Sequence, residues 1–309
     1  MEDNQQGLNR LAKAAEIFIK QERWSRRWTN LLKLSVIAYF AVLIWMMTAQ
    51  FSPEVESMSG NEHLAVVKLD GPIMPGTKIS AEAFNPLLEE AFKDKQAKAV
   101  VIQANSPGGS PVQSAMINDE ITRLKAQYNK PVYVVVEDMC ASGCYYIAVA
   151  ADKIYANKGS IIGSIGVRMD SFGFTGLMDK LGIENRSMHA GEHKTFIDPF
   201  GPKDEAGRQF FQERILERTH QQFIETVRKG RGDRIKETPE TYTGLVWLGD
   251  EAVENGMIDG LADIGKVKRD MGLEDVRVFE GEKSVMQQLM GDLGSEASLS
   301  FQQFLTTLK

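Results

Sequence analysis

The chain predicts an α/β fold with a parallel sheet and crossover helices, preceded by one transmembrane helix. Three observations predict it. From Leu64 onward, short apolar or β-branched runs alternate with helical stretches, the pattern of parallel strands joined by crossovers. Two of the strand runs end in tight small-residue loops, at Asn105–Ser110 and Ala141–Gly143. Before them, Leu34–Phe51 carries no charge and, at about 18 residues, reaches the lower limit for a membrane-spanning helix.

Residues 1–33 space Leu8, Leu11, Ala14, Ile17 and Phe18 as an amphipathic helix does, and end in Lys20, Arg23, Arg26, Arg27 and Lys33. A basic flank stays in the cytoplasm, whereas Glu54, Glu56 and Glu62 follow the apolar run, so the bulk of the chain is expected on the far side. A cleaved signal peptide is the rival reading; Thr48-Ala49-Gln50 is its best cleavage site, and the long stretch before the apolar run speaks against it. Residues 52–63 read as a polar linker.

Strands are expected at Ala65–Ile73, Ala99–Gln103, Val132–Val136 and Lys153–Ala156, and a glycine-punctuated one at Ile161–Asp170. Helices are expected at Ile79–Lys93, Gln113–Gln127, Tyr145–Ala151, Gly176–Gly182 and, long and amphipathic, Glu205–Lys229, followed by a basic loop at Lys229–Arg234. Thr241–Asp259 holds a turn and a short helix. The folded domain is expected over 64–265, with 266–309 a C-terminal extension ending in a short amphipathic tail.

The net charge of −6 offers no basic footprint for nucleic acid. The two cysteines, Cys140 and Cys144, are too few for a disulfide framework, and no Cys/His cluster has zinc-ligand spacing, so neither metal nor cofactor is expected.

Ligand sites in parallel sheets lie beyond the strand C-termini, where both small-residue loops fall. Ser142 sits where a strand turns sharply into a helix, the setting of a serine nucleophile with backbone N–H groups nearby; simple capping of the helix is the plainer role for such a serine. Ser106-Pro107-Gly108-Gly109 could supply oxyanion donors, because glycines let backbone N–H groups approach a ligand. For the base, His63 and His220 read as structural or solvent-facing. His189, His193 and Lys194 share a glycine- and proline-marked loop. A lysine surrounded by Phe196, Ile197 and Phe200 could lose its proton and serve; a loop lysine is otherwise a solvated surface group.

Five ordered motifs carry a resemblance: NSPGGS at 105–110, CASGCYYIAVAADKIYA at 140–156, GSIGV at 163–167, GEHKTFIDPF at 191–200 and GLVWLGDEAVENGMIDG at 244–260. Over about residues 62–265 the chain resembles the signal peptide peptidase A family, membrane-anchored Ser-Lys peptidases with a ClpP/crotonase-like fold, in its short single-domain bacterial form. The resemblance implies Ser142 as nucleophile, Lys194 as general base and Ser164 as the residue orienting the lysine. It implies that the N–H groups of Gly108 and Ser142 form the oxyanion hole. It further implies a homo-oligomer in which serine and lysine come from neighbouring protomers. Cys140 and Cys144 depart from the family pattern; buried packing is the plain role for both, and a disulfide across the turn is the other. The histidines beside Lys194 leave a Ser-His variant open.

The expected function is therefore a membrane-anchored serine endopeptidase that degrades cleaved signal peptides and misfolded envelope proteins. It would sit in the bacterial inner membrane through 34–51, N-terminus cytoplasmic and catalytic domain periplasmic. A non-enzymatic membrane scaffold or chaperone on the same fold is one rival, and a crotonase-type acyl-CoA enzyme another.

Overall fold

The computed structural model describes residues 61–280 and, before them, 33–36, 38–40 and 42. The earlier residues are helical, with Leu34, Tyr39, Phe40 and Val42 exposed. Among the described residues no helix is long and apolar enough to cross a membrane. The expected span at 34–51 lies mostly outside the described residues, as do the segment 1–33, most of the linker and the tail from 281.

The folded unit is a mixed α/β sheet of eight strands. In chain order it runs β1 (His63–Asp70), α1 (Ala81–Lys93), β2 (Ala97–Ser106), α2 (Pro111–Tyr128), β3 (Val132–Ala141), α3 (Gly143–Ala148), β4 (Lys153–Ala156) and β5 (Ile161–Gly163). There follow α4 (Thr175–Leu181), α5 (Glu205–Phe211), a π-turn (Gln212–Leu216), α6 (Glu217–Arg231), β6 (Val246–Leu248), α7 (Gly249–Glu254), β7 (Gly260–Leu261), α8 (Ile264–Asp270) and β8 (Asp275–Phe279). The main order is β6-β5-β3-β2-β1-β8, with β4 on β3 and β7 on β4. Every pairing is parallel except that of β5 with β6.

Parallel strands covered on both faces are apolar nearly throughout, and β1 and β2 are built so. Ala65, Val67 and Leu69 face the larger core under α1, α2 and α3, while Leu64 and Val66 face a smaller one closed by Val267 of α8. Sequence signals set the helix starts. The Ser80 hydroxyl accepts from the Ala83 N–H at 3.2 Å to begin α1. Ser110 caps α2, with Pro111 in its first turn, where a missing N–H costs nothing.

β3 splits its partners. Tyr133–Val136 pair with β4, whereas Met139–Ala141 run on to pair with β5. The strand therefore extends past Val136, and its last residue delivers the chain to Ser142. Three expectations are corrected. The strand expected over Ile161–Asp170 ends at Gly163, because Ser164 turns into the left-handed region at φ 53°. The long helix continues through the π-turn to Arg231, and Arg231 is not in a solvated loop. It is 1% exposed, with its guanidinium on Asp259 at 2.7 Å. Residues after 265 also reach the sheet, since β8 pairs with β1 from His63↔Asp275 to Val67↔Phe279.

Candidate active site

Ser142 has φ 53° and ψ −120°, a conformation costing a β-carbon residue about 1–3 kcal/mol and kept only where the surroundings enforce it. Here they do. Its N–H donates to the Gly163 carbonyl at 2.7 Å, and its carbonyl accepts from the Tyr146 N–H at 3.0 Å. The side chain makes no capping hydrogen bond to α3. Simple helix capping is therefore not its role.

The Ser106–Gly109 loop presses against this turn. A β-carbon on Gly108 would lie 2.6 Å from the Gly143 nitrogen and 2.8 Å from the Ser142 β-carbon; one on Gly143 would meet the Ser114 hydroxyl at 2.4 Å. Only glycines allow this approach. Cys140 and Cys144 are joined in a disulfide, Cα–Cα 5.1 Å, bridging the residues two before and two after Ser142. Both roles read for the pair hold: the two residues pack in the main core and are joined across the turn.

Both N–H groups expected to form the oxyanion hole have partners within the chain. The N–H of Ser142 is bonded to Gly163, and that of Gly108 donates to the Ser106 hydroxyl at 3.2 Å. Gly109 and Gly143 line the same cavity. Their N–H groups make no hydrogen bond among the described residues.

Ser142, Gly108, Gly109 and Ser164 open onto one cavity of about 1050 Å³. Ser164 is fixed by its own N–H, which donates to the Leu245 carbonyl at 2.8 Å. One wall is the α2 face of Val112, Ala115, Met116 and Asp119; the other is Thr219, Gln222 and Phe223 of α6, with Tyr146 between them. Asn118 holds the Tyr146 carbonyl at 2.7 Å, and the Tyr146 hydroxyl accepts from Thr226 at 3.0 Å. Sequence reasoning did not single out these wall residues, because two helices distant in the chain bring them together.

Lys194 does not line this cavity. It is exposed, in a turn where its N–H donates to the Gly191 carbonyl at 3.1 Å. His193 is likewise outside the cavity. Its Nδ1 lies 3.1 Å from the Asp204 carboxylate, which raises the imidazole pKa. His63 is buried between the Asn61 carbonyl and Asp94, and His220 reaches the Ile165 carbonyl at 3.2 Å. Serine and lysine are thus not brought together within this single chain.

Residues 124–278, which include the serine turn, Ser164 and Lys194, match peptidase family S49. The chain belongs to this family. A Methanocaldococcus jannaschii protein described as a protease is 34% identical over 72% of this chain and 76% of its own length. Protease 4 of Haemophilus influenzae is 30% identical over 70% of this chain and 35% of its own. A protein of Brucella melitensis named Na(+)/H(+) antiporter NhaA is 43% identical over 65% of this chain, which spans 28% of that relative's length. A solved structure of the 1510-N membrane-bound stomatin-specific protease is similar with a TM-score of 0.44 and 18% identity, covering 72% of this chain and 99% of that one.

Proposed function

We propose that the chain is a serine endopeptidase with a ClpP/crotonase-like architecture, working through an acyl-enzyme. The observation carrying this reading is Ser142: a strained, uncapped serine facing a groove, with a glycine loop at its side. Lys194 of a neighbouring copy takes the hydroxyl proton as Oγ attacks the peptide carbonyl. Ser164 orients the amine. The tetrahedral oxyanion is held by the N–H groups of Gly109 and Gly143, favoured over Gly108 and Ser142 because those two already have partners. The proton passes to the leaving amine, the amine departs, and water activated by the same lysine releases the acyl group.

The sharing of serine and lysine between copies of a homo-oligomer is supported by their separation in one chain. It is supported also by the apolar side chains exposed along the segment that carries Lys194, among them Phe172, Leu181 and Met188. By family resemblance the substrates are cleaved signal peptides and unfolded segments of envelope proteins. The groove with Val112, Met116 and Phe223 along its walls suits apolar peptide. Leu34–Phe51 anchors the chain in the bacterial inner membrane, with the peptidase domain on the periplasmic side.

The test is cleavage of a fluorogenic apolar peptide by the full chain and by its Ser142→Ala and Lys194→Ala variants. Loss in both, with assembly intact by light scattering, is the expected result. Activity surviving Ser142→Ala would overturn the mechanism, and a parent that cuts nothing would favour the scaffold.

A further inference from the structure

The sequence has only two cysteines, and both belong to the nucleophile turn. We propose that the Cys140–Cys144 disulfide is a positioning clasp: it holds Ser142 in its reactive conformation, so that turnover depends on the bond being closed. The proposal rests on Ser142 being the nucleophile.

The argument is one of anchorage. Cys140 is in register with Ile162 of β5 and Ser106 of β2, so the sheet holds it on both sides. Cys144 lies in the first turn of α3, and both residues are fully buried in the main core. The bond therefore ties two fixed points across a five-residue loop whose middle residue is Ser142 at φ 53°. A chain free to relax at that position would move to negative φ, since only glycine adopts such a conformation without penalty. Relaxation would turn Oγ away from the groove and swing the Gly143 N–H with it. Two backbone hydrogen bonds oppose this, from Ser142 to Gly163 and from Tyr146 to Ser142. The disulfide alone opposes it covalently. Its Cα separation of 5.1 Å lies within the range that suits a disulfide.

Opening the clasp is a two-electron exchange. A dithiol's thiolate attacks one sulfur, the other leaves as thiolate and takes up a proton, and the reagent's second thiolate then closes the reagent's own disulfide. The protein gains two thiols and the reagent loses two. Because both sulfurs are buried, the closed form should persist in weak reductant.

The experiment compares oxidised full-length protein, the same protein reduced with dithiothreitol, and the Cys140→Ala/Cys144→Ala variant. Bond state is read by mass, turnover on the fluorogenic peptide, and exchange of backbone amides over 141–146. Reduction changes no side-chain volume, so it separates the bond from packing. The expected result is a closed bond in the purified protein and a kcat at least tenfold lower on reduction, with KM within about twofold and recovery on reoxidation. The double variant should match the reduced protein and no longer respond to dithiothreitol. Amides 141–146 should exchange faster in both. Two free thiols in protein purified without reductant, or unchanged kcat in the reduced enzyme, would overturn the clasp. Amide exchange decides the matter even if the parent cuts no peptide, a result that would instead defeat the peptidase reading: unchanged exchange overturns the clasp, and faster exchange supports it.

Discussion

β3 and α3 enclose Val134, Cys140, Tyr145 and Ile147 to 1% exposure or less. Between Phe172 and Phe200, by contrast, large apolar side chains stand in solvent: Phe172 at 72%, Leu181 at 64% and Met188 at 98%. Both regions carry a residue the family resemblance assigns to catalysis, yet only the first is held by the core. The second is tied chiefly to itself: Phe174 and Phe200 stack at 5.7 Å, the Phe174 N–H donates to the Pro199 carbonyl, and Asn185 donates to the Phe200 carbonyl. Burial on this scale stabilises by about 25 cal/mol per Å² of apolar surface, and the Lys194 segment leaves that gain unused within one chain. The contrast suits a serine fixed by its own fold and a lysine delivered to another copy.

The sharpest way to break this comparison is complementation. Ser142→Ala and Lys194→Ala should each lower kcat/KM by about 10⁴-fold or more. Mixed and reassembled, the two variants should regain about a quarter of the parent activity if neighbours share the site in a ring of heterologous contacts. No recovery would place both groups in one chain. Next comes a matched pair of truncations measured by urea unfolding. Phe84→Ala, fully buried, should cost about 3–5 kcal/mol, whereas Phe172→Ala should change unfolding by no more than about 0.5 kcal/mol while weakening assembly in sedimentation.

A third prediction concerns acid. Burial pushes the Asp259 carboxyl up, but the Arg231 guanidinium, the Ile154 N–H and the charge of Arg234 outweigh burial and hold it below the usual range. A depressed folded pKa means stability present above the unfolded value of about 4 and lost as pH falls through the folded one. Asp259→Asn should therefore cost about 3 kcal/mol at neutral pH, through the charge left on buried Arg231, and should flatten the loss of stability below about pH 4. Gly108→Ala sharpens the serine side of the contrast. With φ at 92° and no room for a β-carbon, it should cost about 2 kcal/mol and disturb turnover as well. The smallest effect belongs to His193→Ala. Its ring pairs with Asp204 outside the cavity, so kcat should stay within about threefold of the parent; a large loss would revive a histidine base.

The strands, the crossover helices and the loop holding Ser142 were legible because each is a local pattern, a run of apolar residues or a cap beside a glycine. Arg231 was misread because its partner, Asp259, arrives from a later loop; composition alone made a buried ion pair look like a basic surface. β8 was not expected because it lacks the continuous apolar run that marked the inner strands, and only Phe279 of it is buried. Which backbone N–H groups beside Ser142 are left without partners could not be read from residue names. Which N–H is free depends on the hydrogen bonds of Gly163 and Ser106, and those are set by strand register. The groove walls were invisible for a similar reason: Met116 and Phe223 read as ordinary helix residues until α2 and α6 face one another.

The position of β8 also bears on the order in which the molecule can be completed. Among the described residues β1 is the first strand made and β8 the last, yet they are neighbours. A chain emerging N-terminus first, from a ribosome or through a membrane, holds β1 paired on one side only until Asp275–Phe279 follow. During that interval the side of β1 that β8 later covers is open to whatever is nearby, including another nascent copy. Arrival of β8 ends that exposure, so the final strand acts as a seal on the history of the fold.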